Sequence, residues 1–131
     1  MNSFALVLKV IAPVFVLVAA IHLVLGLSAE PLLGAELSES TLINAALDSQ
    51  NRFYGVAFAI YGVLFYVCSR DVRNYATIIY CLLWVFLVAG MARLVSIALL
   101  GFPPPLIGIL LLVELTFPPI MLLWLRRVLK Q

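Results

Sequence analysis

Apolar residues run almost unbroken through four stretches of this chain, and polar residues gather between them. The stretches lie at about Leu6–Leu27, Arg52–Ser69, Tyr75–Leu100 and Pro105–Leu125. A helix crossing the hydrocarbon core of a bilayer needs roughly 20 apolar residues, so each stretch is long enough to be a span. Gly101 is placed to end the third helix, and the prolines of "FPPP" stiffen the turn into the fourth. "RDVRN" turns the chain between the second and third spans. The expected fold is all-α: one integral-membrane domain over residues 1–131, a left-handed four-helix bundle. The N-terminal run resembles a signal peptide, but its apolar part is long and Leu27 stands where cleavage wants a small residue. We read it as a retained first span.

Ser28–Asn51 is the one long connection. It carries Glu30, Glu36, Glu39 and Asp48 and no basic residue. Leu42, Ile43, Ala46 and Leu47 recur at helical spacing, which predicts a short amphipathic helix on the membrane surface. Ser38 or Ser40 would cap it. This segment is expected to act as a lid.

Composition agrees with the pattern. The 131 residues are 66% hydrophobic and 11% charged, against about 25% charged in soluble domains. The basic residues are few and most sit at chain ends and short turns, so nothing supports a nucleic-acid surface. Lys9, Arg70, Arg73, Arg126, Arg127 and Lys130 all flank one side of the four spans. By the positive-inside rule that side is cytoplasmic, with both termini, and the acidic loop and proline turn face outward. Cys68 and Cys81 have no CxxC spacing and read as ordinary thiols. Trp84, near mid-span, is expected in the bundle or at an oligomer contact.

A few polar residues interrupt the apolar runs. Arg93 stands roughly 12 Å below the outer edge on span three, and Glu114 roughly 13 Å deep on span four, at 1.5 Å per residue. A lone charge at mid-bilayer costs at least about 2.5–3.5 kcal/mol. The two are therefore expected to face each other or share a polar pocket. His22 lies roughly 6 Å deep on span one, on a face with Ala19 and Gly26. Arg52 opens span two on a face with Gly55, Ala59 and Gly62; small residues there let helices approach closely. A cation at a helix N-terminus opposes the macrodipole, so Arg52 needs an acid, with Asp48 the local candidate and Glu114 the distant one. Pro118 and Pro119 withhold the hydrogen bonds that would reach the carbonyls of Glu114 and Leu115. A kink is expected there, with Thr116 placed to satisfy one carbonyl.

"HLVLG", "DSQNRFYG", "RLVSIALLGFPPP" and the span-four glutamate, in that order and spacing, resemble a bacterial family of small four-helix membrane proteins. That family is catalogued as a domain of unknown function and is distantly similar to the DoxX-like group. The resemblance covers nearly the whole chain. It implies a four-helix bundle in a bacterial inner membrane and supplies no activity and no catalytic residues.

His22, Arg52, Arg93 and Glu114, with Asp48 and Tyr54 beside them, are thus the candidate ligand-binding set. They point to a lipid-like or quinone-like amphiphile with a polar or anionic head. The alternatives are an accessory or scaffolding subunit, whose buried charges fasten helices while an apolar stripe meets another membrane protein or a second copy, and a small enzyme using His22 and Glu114 as acid and base. No metal, haem or other cofactor is expected, because the chain holds one histidine and no ligand spacing. No Gly-rich phosphate loop or HExxH motif is present.

Overall fold

The computed structural model describes residues 2–130. Its elements are α1 (Asn2–Leu25), a 3-10 segment (Gly26–Leu33), α2 (Glu39–Leu42), α3 (Ala45–Ala57), α4 (Ala59–Cys68), α5 (Ala76–Leu100) and α6 (Pro105–Lys130). No strand occurs among the described residues. Four helical stretches, with α3 and α4 together counting as one, are long and apolar enough to cross a membrane. The chain is an all-α four-helix protein of multi-pass membrane type.

The second crossing differs from expectation. It begins at Ala45, not Arg52, and the predicted surface helix divides. Asn44 is the cause: its Oδ1 accepts from the backbone N–H of Ala46 and Leu47, each at 3.1 Å. An asparagine satisfying two of the first orphan donors starts a helix where it stands. Ser38 does cap a helix, accepting from Thr41 N at 3.3 Å, but α2 is only four residues long. The crossing is interrupted at Phe58, between α3 and α4. There Phe58 N–H is shared between the carbonyls of Tyr54 and Gly55, and Tyr61 N–H reaches back three residues to Phe58. The helix tightens locally toward 3-10 geometry.

α5 ends at Gly101, whose φ of 91° suits glycine. α6 runs without a break through Pro118 and Pro119 and continues to Lys130. Thr116 Oγ1 donates to Leu112 O at 2.7 Å and so serves neither carbonyl freed by the prolines.

The core lies toward the basic end, where both chain ends and the Arg70–Asn74 turn gather. Phe4, Leu8, Ala12 and Phe15 of α1 meet Phe65 and Cys68 of α4, Ile79, Leu83 and Phe86 of α5, and Met121 and Leu125 of α6. Phe15 is the hub, with ring centroids of Phe58, Tyr61, Phe65 and Phe86 at 4.9, 5.6, 5.6 and 5.5 Å. Lipid is as apolar as these side chains, so close packing must hold such helices together. Gly62 shows how close: a Cβ there would stand 2.6 Å from the carbonyl oxygen of Ala12. Trp84 is half exposed on the outside of the chain, not buried within it. Cys68 is buried, Cys81 is exposed, and both are free thiols.

The acidic end is looser. No residue of α5 beyond Gly90, and none of α6 before Glu114, is buried. α3 has no buried residue either, although it packs on α1 and the 3-10 segment. The bundle is closed at its basic end; at its acidic end α1 packs chiefly with α3 and α5 chiefly with α6, and the two pairs meet where Gly34 lies against Pro104.

Candidate functional site

The pairing of helices at the acidic end separates the polar residues that the sequence placed in one cluster. His22 and Arg52 lie between α1, the 3-10 segment and α3. Arg93 and Glu114 lie between α5 and α6. Among the described residues no hydrogen bond or ion pair joins the two groups. Each has its own chemistry.

In the first group Asp48 is the organiser. Its Oδ1 accepts from Leu27 N–H at 2.8 Å, and its Oδ2 holds Arg52 Nε at 2.7 Å. The local partner therefore takes Arg52, and Glu114 does not. Arg52 Nη1 donates to the carbonyls of Leu23 and, at 3.2 Å, Val24. Those carbonyls close α1, where helical geometry leaves acceptors without partners. The expected conflict with a helix N-terminus does not arise. α3 starts seven residues earlier, and the guanidinium sits instead at the C-terminal end of α1, where the macrodipole favours a cation. Three of its contacts are thus spent on the fold. Gly26 permits the approach: its φ is 57°, and a Cβ would overlap Asp48 Oδ1 and lie 2.7 Å from the Arg52 guanidinium. Gly55 plays the same part for His22, whose Cβ would overlap a side chain placed there.

His22 Nδ1 lies 2.9 Å from Val18 O. A carbonyl only accepts, so Nδ1 carries the proton and Nε2 points away from α1. Nε2 is 3.8 Å from Glu30 Oε1, and Asn51 Nδ2 donates to that same oxygen at 2.7 Å. The carboxylate beside His22 is therefore Glu30, which the sequence reading passed over, and not Glu114. Asn51 was missed as well. Its signal was present: Asp48, Asn51, Arg52 and Gly55 fall at i, i+3, i+4 and i+7, one face of a helix that begins at Asn44. Tyr54 is on the other side, exposed and stacked edge-on to Phe53 at 5.6 Å. It does not join the set.

The second group is as expected in position and sharper in detail. Arg93 Nε stands 2.7 Å from Glu114 Oε2. The glutamate is 7% exposed, and the arginine side chain is 43% exposed. Glu114 Oε2 receives no well-aligned hydrogen bond despite the short distance, so this is an ion pair without a straight N–H···O line. Gly90 makes room for it: a Cβ there would be 2.9 Å from the Cβ of Glu114. The pair thus sits at a close approach of α5 and α6. From there the helices open around a pocket of ≈ 70 Å³, lined by Arg93, Ser96, Ile97, Gly101, Pro103, Ile107 and Leu111. Arg93 and Ser96 are its polar lining residues, and the terminal Nη groups of Arg93 bond no protein acceptor among the described residues. Among those residues, no three His, Cys, Asp or Glu side chains gather in a way that could hold a metal ion.

The sequence profile of a family described as a domain of unknown function (DUF4345) matches residues 3–125. No curated protein and no solved structure matches the chain. The match spans nearly its whole length, and the chain belongs to that family.

Proposed function

We propose that this member of the family binds an apolar molecule by a small polar head in the pocket between α5 and α6. The observation that carries the proposal is Arg93. It is paired with buried Glu114 and also lines the pocket, and among the described residues no protein acceptor takes its terminal donors. Donors without acceptors at membrane depth are costly, and a ligand or water must supply the acceptor. The volume limits what enters. Pockets that enclose a whole drug-sized ligand measure about 300–1,000 Å³. A space of ≈ 70 Å³ holds a head group only, with the rest of the molecule lying along Ile97, Ile107 and Leu111 into the lipid. Charge limits it further. Glu114 already neutralises Arg93, and a bound anion would restore a net charge at a depth where one is expensive. A neutral acceptor such as an ester, amide or quinone carbonyl fits better than a carboxylate or phosphate. The basic end faces the cytoplasm in this proposal, and a bacterial inner membrane is the setting that the family resemblance implies.

The experiment uses a fatty-acid methyl ester bearing a diazirine, with the corresponding free acid as control, in lipid nanodiscs. The ester is expected to cross-link residues around Ile97, Ile107 and Leu111, and the acid to do so about tenfold less, the value of one charge-related contact of roughly 1.4 kcal/mol. Labelling spread evenly over the lipid-facing surface would remove the proposal.

A second reading takes Arg93 and Glu114 as a fastener between α5 and α6, in an accessory subunit. The tight crossing at Gly90 favours it. The two readings part in their response to removal of the pair. Acid–base catalysis by His22 with Glu114 loses its support, because the two residues stand in different groups with different partners.

A further inference from the structure

Glu30 and His22 form a second polar site that the α5–α6 pocket does not use. In the neutral ring of His22 the contact with Val18 O holds the proton on Nδ1, which leaves Nε2 an acceptor facing the carboxylate of Glu30 at 3.8 Å. Two acceptors opposed in this way need a donor between them. Asn51 does not supply it. Its Nδ2 is on Glu30 Oε1 at 2.7 Å and holds the carboxylate in place. Nor is the charge of Glu30 matched. The neighbouring charged groups of α3, Asp48 and Arg52, are spent on each other at 2.7 Å and on the backbone of Leu27, Leu23 and Val24. Access is partial, with the side chain of His22 13% exposed and that of Glu30 29%.

We propose that His22 Nε2 and Glu30 bind a primary ammonium group. An –NH₃⁺ has several donors and no acceptor. One placed to the side of the line joining these two acceptors, 3.8 Å apart, reaches both at ordinary hydrogen-bond length. It also supplies the positive charge that Glu30 lacks. A hydroxyl carries a single hydrogen and can serve one of the two; a quaternary ammonium carries none. The group comes either from an aminated lipid head at the membrane surface or from a small soluble amine.

His22 is the one histidine of the chain, so its ring signals need no assignment in NMR spectra of histidine-labelled protein. The test titrates the protein with ethanolamine, and separately with choline, in phosphatidylcholine nanodiscs. Ethanolamine is expected to move the His22 signals saturably. Choline leaves them unmoved. Glu30→Gln, with helical content checked by circular dichroism, weakens the response about tenfold or more, as loss of a charge-assisted hydrogen bond does. Arg127→Gln, exposed at the far end of α6, leaves it unchanged. Discs containing phosphatidylethanolamine identify the source: signals already in the bound position assign the lipid head, and signals still free assign the soluble amine. Equal effects of ethanolamine and choline, or an undiminished response in Glu30→Gln, would overturn the proposal.

Discussion

Gly26 and Gly108 make opposite demands on one methyl group. Gly26 holds a φ of 57° with Asp48 and Arg52 pressed against it, while Gly108 is helical with nothing within 4 Å of a Cβ. Gly26→Ala should therefore cost about 1–3 kcal/mol, the usual price of a strained backbone position, plus whatever the displaced Asp48–Arg52 contact loses. Gly108→Ala should stabilise by about 0.5–1 kcal/mol through backbone entropy alone. Thermal melting of both variants in one mild detergent compares the two directly. The same scale shows what Arg52 does. In sequence it is a cation near the start of a span; in the fold it closes the end of α1 through the carbonyls of Leu23 and Val24. No local pattern reveals that contact, because donor and acceptors lie 28 and 29 residues apart.

At the scale of elements, the chain divides into what periodicity reveals and what capping decides. The apolar runs of α1, α5 and α6 were legible because a bilayer demands length and hydrophobicity. The depth match of Arg93 and Glu114 followed from helix rise alone. The start of α3 was not legible in the same way, since the run Ala45–Asn51 is half polar and its onset rests on the Asn44 side chain. Missing that onset hid Asn51 and Glu30 together, because their contact exists only when Asp48, Asn51 and Arg52 share a helical face. Asn44→Ala should cost about 1 kcal/mol, a typical cap loss. Hydrogen exchange should then quicken at Ala46 and Leu47 while the amides of α5 and α6 keep their protection. Equal protection in both variants would show that α3 is held by its packing on α1 instead of its cap.

The whole molecule joins a packed half to an open one. Aromatic rings around Phe15 tie all the long helices except α6 into the basic end, and Phe4 against Trp124, at 5.4 Å, brings in α6. Toward the acidic end α5 and α6 touch chiefly each other, and their polar pair stands at the point where they part. A bundle closed at one end tolerates a cost at the other. Buried ion pairs often contribute little net stability, and replacing both partners with apolar residues is commonly neutral or stabilising by about 1–4 kcal/mol. The double variant Arg93→Met/Glu114→Leu therefore separates a fastener from a binding site. Its melting temperature and its labelling by the diazirine ester, measured on one preparation in nanodiscs, form the most direct test. A binding site predicts stability equal to or above that of the parent, with cross-linking around Ile97, Ile107 and Leu111 lost. A sharp fall in stability, or labelling that survives the loss of both charges, would contradict it.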